Sequence, residues 1–233
     1  MKERTIQREG VHVKILAYTE PNAQGELITI YEALRRRSDD PENWEGKIYY
    51  DIIHSRPLVA VKRGTPDKDS SSFSYQGGSG SGHGRGSKGI VHELAQDFLC
   101  RQDTFRFSLF KHSFVAEIEQ AVDEVRIVDP KNLARTAYVD VMLHLREGND
   151  IRKKFGDRIA IEITDTHGNT KRKEKLFRDL GISALEVKVP AEWHIENLTT
   201  VTSQELETLK RRIAGFWRAE IYVDYIHARA RIT

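Results

Sequence analysis

The sequence predicts an α/β fold, a mixed central sheet flanked by helices, with a β-rich extension on its N-terminal side. Three observations predict it. Residues 158–189 read as strand, loop, helix, strand. Ile159, Ile161 and Ile163 alternate with Ala160, Glu162 and Thr164, which is the period-two pattern of a strand. A helix is expected from about Thr170 to Leu180, with Asn169 or Thr170 as its cap and Gly181 at its stop. Ser183–Val189 returns as an apolar strand that Pro190 ends, and a strand–helix–strand unit of this length requires parallel strands with a right-handed crossover. The second observation is Tyr138–Leu145. Val139, Val141, Leu143 and Leu145 alternate with Tyr138, Asp140, Met142 and His144. The third is a helical stripe of Val91, Leu94, Ala95, Phe98 and Leu99 within Ile90–Arg101.

The other elements follow from local signals. In residues 10–63, strands are expected at His12–Tyr18, Leu27–Tyr31, Ile48–Ile53 and Leu58–Lys62. A short helix over Tyr31–Arg37 is ended by Asp39-Asp40-Pro41. Gln76–Gly89 holds seven glycines in fourteen residues, a flexible composition. Its Ser87-Lys88-Gly89 has the wrong order for a phosphate-cradling loop, which needs Gly-Lys-Ser/Thr entering a helix. Phe105–Val128 is expected to give two strands, Ser113–Glu119 and Glu124–Val128. Thr202 and Glu205 form a capping box ahead of a closing helix whose buried stripe is Leu206, Leu209, Ile213 and Phe216. Ile221–Ile226 is a last strand, and Ala228–Thr233 a basic tail. The expected organisation is a β-rich extension over 1–64, a Gly/Ser-rich loop over 65–89, a core over 90–190 and a C-terminal helical cap with the tail over 191–233.

A chain of 233 residues holds one substantial domain, with room for an appendage. Its net charge of +2 sets up no global basic field, so nucleic-acid contact would fall to local patches. Arg35–Arg37, Lys171–Lys173 with Lys175, and Lys210–Arg212 are such patches, and each also reads as a solvated helix face. The lone cysteine, Cys100, excludes an intrachain disulfide and a four-cysteine zinc site. No stretch reaches the roughly 18 apolar residues of a membrane span, and the polar opening is no secretory signal, so a cytoplasmic location is expected.

Chemistry gathers around the Ile-rich strand. Glu162 is a carboxylate among isoleucines, where a buried charge needs a partner or a metal. Asp140 stands in the same position on a strand that otherwise looks buried. Lys173 falls one turn ahead of Leu176, Phe177 and Leu180, on the helix face expected against the sheet and near the end of the Glu162 strand. Together, Asp140, Glu162 and Lys173 would hold a hard divalent cation and orient water for phosphodiester hydrolysis. The bland alternatives stand beside this. Glu162 would pair with a sheet neighbour, Asp140 would pair with Arg135 or Arg158, and Lys173 would be one solvated lysine among several basic neighbours.

The order Asp140, Glu162-x-Thr164, Thr166-His167-x5-Lys173 and Gly181-Ile-x-x-Leu185-Glu186-Val187 resembles the nuclease-like domains of the competence-protein CoiA type. Those domains belong to the PD-(D/E)xK restriction-endonuclease-like superfamily. The resemblance is strongest over 135–190. It extends weakly to Pro57–Lys62 with Phe73–Tyr75, to Ser87, His92 and Gln96, and to Thr202–Trp217. It implies a restriction-endonuclease-like sheet and a Mg2+- or Mn2+-dependent nuclease acting on DNA. Asp140 and Glu162 would be metal ligands and Glu119 a further one, although Glu117 and Glu124 are equally visible. Thr164 and His167 would place water or phosphate, and His167 would otherwise simply hold its loop. Glu186 would orient Lys173 or make a surface salt bridge.

Three departures matter. The usual lysine two positions after the glutamate is Thr164 here, so Lys173 is the candidate replacement, with Lys171 and Lys175 close by. The cysteine-based zinc motif is absent, and Phe73–Tyr75 lacks the usual histidines. The setting implied is DNA uptake, mobile-element biology or antiviral defence. The alternative expectation is a degenerate nuclease-like subunit that binds nucleic acid, a partner protein or its own copies without cutting.

Overall fold

The computed structural model describes residues 14–65, 68–69, 71–76, 89–164, 171–193, 195, 197 and 199–227. The chain is a mixed α/β protein that divides into two units. One is built from Val11–Leu94 and Trp193–Arg212, the other from Ala95–Glu192 and the chain from Ile213 onward. This differs from the expected division into a core over 90–190 and a separate cap. The closing helix is shared between the units, and the strands after it belong with the core.

The first unit contains β1 (Leu16–Tyr18), β2 (Leu27–Thr29), α1 (Ile30–Asp39), α2 (Pro41–Trp44), β3 (Tyr49–Tyr50), β4 (Pro57–Val61), the short pair β5 (Gly64–Thr65) and β6 (Lys68–Asp69), and β7 (Ser72–Tyr75). Five of its strands form an antiparallel sheet in the order β2-β1-β3-β4-β7. The strand expected over Leu27–Tyr31 stops at Thr29, whose hydroxyl accepts the Glu32 N–H at 3.1 Å and so caps α1. The strand expected over Ile48–Ile53 is only Tyr49–Tyr50. Asp51 ends it by turning its carboxylate onto the N–H groups of Ile53 and His54, at 3.0 and 2.7 Å. That fully buried carboxylate also takes the Lys14 ammonium at 2.7 Å and the Tyr75 hydroxyl at 3.1 Å. Nearby, the buried Glu93 carboxyl accepts the Ile15 N–H at 3.2 Å.

The second unit receives α3 (Ile90–Cys100) from Ala95 onward. It continues with β8 (Thr104–Leu109), β9 (His112–Asp129), β10 (Asn132–Leu145), α4 (Arg152–Phe155), β11 (Arg158–Thr164), α5 (Lys171–Leu180) and β12 (Ser183–Lys188). After α6 (Ser203–Arg218) come β13 (Ile221–Tyr222) and β14 (Asp224–His227). The sheet order is β13-β8-β9-β10-β11-β12-β14. β11 and β12 are parallel, as the intervening helix requires, and β13 is parallel to β8. Only Val223 separates β13 from β14, yet they lie at opposite ends of the strand order. The expected strand Ile221–Ile226 therefore joins both edges. It runs first along β8, where the Val223 N–H donates to the Ser108 carbonyl at 3.1 Å, and then along β12. The two ends of the strand order are thus covered by successive short segments of one stretch of chain.

The two strands expected at Ser113–Glu119 and Glu124–Val128 are one strand of 18 residues. No Gly or Pro interrupts it, and Glu124 takes φ +51° while the register with β10 continues across it. The turn before it was also invisible in the sequence. Phe110 and Lys111 take φ +49° and +68° with neither Gly nor Asn to signal the hairpin.

On α5, Leu176 and Phe177 are buried against Ile127, Val139, Met142, Ala160 and Ala184. Gly181 ends the helix at φ +62°. Its N–H donates to the Arg178 carbonyl at 3.1 Å, and the Ile182 N–H donates to the Phe177 carbonyl at 3.0 Å, the left-handed stop expected there. The expected cap of α5, Asn169 or Thr170, lies outside the described residues, as do 77–88 of the Gly-rich segment. The capping box of α6 forms. The Glu205 N–H donates to the Thr202 hydroxyl at 3.3 Å, and the Thr202 N–H donates to the Glu205 carboxylate at 2.8 Å. Its apolar stripe ends on Trp217, 2% exposed against Phe105, and not on Phe216. Trp217 falls four residues after Ile213 and brings the larger ring to the core.

Candidate active site

β11 is flanked by β10 on one side and β12 on the other, so its centre has no open edge. Ile159, Ile161 and Ile163 are buried on it, and so is Glu162, which is 3% exposed. The Lys173 ammonium meets this carboxylate. It pairs with Glu162 Oε2 and lies 5.9 Å from the centre of the Phe177 ring. The helix produces this contact because Lys173 sits one turn before Phe177, whose ring is packed on the sheet.

Asp140 reaches the same strand from β10. The antiparallel register pairs Val141 with Ile161, so Asp140 is the next residue along, level with Glu162. Its Oδ2 accepts the Ile163 N–H at 2.9 Å, which puts the carboxylate against the peptide that follows Glu162. Its own carbonyl accepts the Gln96 side-chain amide at 2.8 Å. Gln96 is buried on α3 and pins the β10 backbone at this position.

On the other side, Glu162 is registered opposite Glu186, and Glu186 opposite Asp224. Directly opposed residues share a sheet face, and like charges there repel. Each acid has a counterweight: Lys173 on Glu162, the Thr164 hydroxyl on Glu186, and Lys188 on Asp224 at 2.5 Å. Thr164 thus brings a hydroxyl, and no charge, to Glu186. Among the described residues, the candidates Asp140, Glu162, Thr164 and Lys173 all gather on the C-terminal half of β11.

Glu119 is not brought there. It is exposed on β9, between the partners of His144 and Leu145. His144 is registered with Arg158, four residues before Glu162, which is about 13 Å along the strand. Glu119 instead acts on His144, whose pKa burial and Arg158 hold below its ordinary value, with Asp157 and Glu119 opposing. His167 and Thr166 lie outside the described residues. Lys171 and Lys175 are exposed on α5. Gln96 entered the sequence reading only through the weak resemblance of its helix, and Asp224, in a short terminal strand, carried no chemical signal.

The Asp140 carboxylate lies on the peptide that follows Glu162, and Glu162 itself pairs with Lys173. These are two oxygen donors of the kind that hold Mg2+, which commonly takes one or two carboxylates with waters and substrate oxygens completing its shell. Among the described residues no group of three or more His, Cys, Asp or Glu side chains is clustered for a metal. No described helix is long and apolar enough to cross a membrane. Comparison with protein-family models, with curated proteins and with solved structures gives no match for this chain.

Proposed function

We propose that this protein hydrolyses phosphodiester bonds in DNA, and that its second unit has the restriction-endonuclease-like arrangement its sequence resembles. The observation that carries the reading is the Lys173–Glu162 ion pair, formed between a buried strand carboxylate and the following helix with Asp140 against the next peptide. Asp140 and Glu162 would hold Mg2+ or Mn2+, which when bound supplies polarisation of the phosphate and a water of lowered pKa. Lys173 would place its ammonium beside a non-bridging phosphate oxygen and offset the charge that grows there. Gln96 would keep Asp140 in place through its backbone. Thr164, held by Glu186, would contribute a hydroxyl dipole and no charge.

The test is cleavage of plasmid and linear DNA by the purified full chain with Mg2+ or Mn2+. Activity should vanish with a chelator and in Glu162→Gln and Asp140→Asn, with the fold retained by circular dichroism. Cutting that survives either substitution would refute the assignment. A second reading is favoured by Thr164: a protein that binds nucleic acid at this surface without cutting it. Tight binding with no cleavage under any divalent cation would select that reading.

A further inference from the structure

The sequence offers three runs of basic residues, and the fold treats them differently. In Arg35–Arg37 every cation is paired. Arg35 meets Glu32, Arg36 meets Glu26 and Glu32, both at 2.6 Å, and Arg37 meets Glu45 at 3.7 Å. In Lys210–Arg212, Lys210 pairs with Glu207 at 3.5 Å and donates to the Tyr18 hydroxyl at 2.6 Å. Arg211 turns back on its own helix, onto the Glu207 carbonyl at 3.3 Å and the Thr208 hydroxyl at 3.4 Å. Among the described residues, only Arg212 of these two runs makes no such contact.

α5 differs. Lys173 is held by Glu162, and Arg172 donates to the Ala134 carbonyl at 3.4 Å. Asp179 is taken by Arg135 at 2.8 Å. The side chains of Lys171, Lys175 and Arg178 are exposed and make no ion pair or hydrogen bond among the described residues. They fall at i, i+4 and i+7, so they stand one above another along about 10 Å of helix. Glu174, half-buried at the flank of this stripe, pairs with none of them among the described residues. Like charges at this spacing repel, and Lys171 also opens the helix, where the macrodipole disfavours a cation. The arrangement is unfavourable in the chain alone, and an external anion offsets it.

We propose that this stripe of α5 holds the phosphate backbone of nucleic acid, at a place separate from the Glu162–Lys173 pair. The choice of nucleic acid among polyanions rests on the nuclease reading. Charge and spacing fit it. One strand of a duplex advances about 3.4 Å per phosphate, so three cations over about 10 Å match about three phosphates. A lipid surface fits less well. Leu176 and Phe177 are buried, and Leu180 packs on the same cluster, so the stripe has no apolar side chain to insert. The stripe also faces away from Leu176 and Phe177, and so away from the pair. Nucleic acid held there lies outside the site of cutting and adds affinity without entering the chemistry.

The experiment is fluorescence anisotropy of the full chain with a labelled DNA duplex, in chelator so that nothing is cut, over a range of salt. Lys171→Gln/Lys175→Gln/Arg178→Gln should weaken binding by about tenfold or more and reduce the salt slope by about two to three, close to one for each phosphate that is no longer neutralised. Lys111→Gln/Arg126→Gln/Lys131→Gln removes the same charge from β9 and the turns at its two ends, and should keep most of the affinity and slope. The substituted positions are all exposed, so neither thermal transition should move. Unchanged affinity and slope in the α5 variant, or an equal loss in the β9 variant, would overturn the proposal. So would polyglutamate or anionic vesicles that compete as well as unlabelled DNA. The two readings fail separately. Binding through the stripe by a chain that cuts under no divalent cation sinks the nuclease reading alone. Metal-dependent cleavage with parental binding by the α5 variant sinks this inference alone.

Discussion

Replacing Lys173 with Met removes one charge of a buried pair and keeps most of the side-chain stem on Phe177. Glu162 is 3% exposed, and the Lys173 side chain is 19% exposed. Breaking a buried pair from one side costs about 3–5 kcal/mol, because the remaining charge loses its compensation. Partial exposure of Lys173 puts the expected loss at the lower end, near 3 kcal/mol. For a chain of this size, that lowers the transition by about 6–12 °C. Glu162→Leu/Lys173→Met removes both charges and fills the space with apolar groups, and it should lie within about 1 kcal/mol of the parent or above it. The assay is thermal and denaturant unfolding of the parent, both single variants and the double variant, which gives the coupling directly. A Lys173→Met variant within about 0.5 kcal/mol of the parent would refute the burial argument. A double variant as unstable as Lys173→Met would show that the pair is there for stability. A stable double variant that neither binds metal nor cuts would show that it is there for chemistry.

Two further outcomes concern the first unit. Burial pushes the Glu93 carboxyl up to about 7, against the opposing pull of Lys14 and the Ile15 N–H. The folded protein therefore holds a proton that the unfolded chain releases above its ordinary 4.5. The resulting stabilisation, on the order of 3 kcal/mol, is complete below pH 4.5 and is lost as the pH rises through 7. Glu93→Gln keeps an oxygen for the Ile15 N–H and should flatten the decline of melting temperature between pH 5 and 8, and an unchanged slope would exclude Glu93 as its source. Thr202→Ala removes the hydroxyl that caps α6 and should cost about 1 kcal/mol in denaturant unfolding, and no measurable loss would mean that the box adds nothing to the helix.

Much of the chain from Arg158 onward was legible because its signals are local. The alternation of Ile159, Ile161 and Ile163, the stop at Gly181 and the box at Thr202 each describe a few consecutive residues, and β11, α5 and α6 form where they point. Pairing over long range was not legible. Nothing near Val223 indicates that a short terminal segment touches both edges of the sheet, since that depends on the accumulated twist of the five strands between them. The full length of β9 was hidden for a related reason. Gln120–Asp123 was read as a gap between two strands, but the pairing with β10 continues across it, with Glu124 taking the left-handed φ of +51°. The choice between Phe216 and Trp217 depended on which ring fits against Phe105.

At the candidate site, sequence spacing placed Lys173 near Glu162 because helix and strand are adjacent and each has a fixed period. Glu119 failed on the same logic: its strand is paired, but the register carries it to His144. The acid at 162 still needs a reason. An isoleucine there, as at 159, 161 and 163, would pack without desolvating a charge, would not face Glu186, and would not require an ammonium from α5. A buried ion pair is weak evidence of stability, since apolar replacements often do as well. A strand that carries this cost at one position, with a second carboxylate against the next peptide and an amide holding that carboxylate's backbone, is the observation on which the proposal of metal binding rests, and the double variant above separates it from a role in stability.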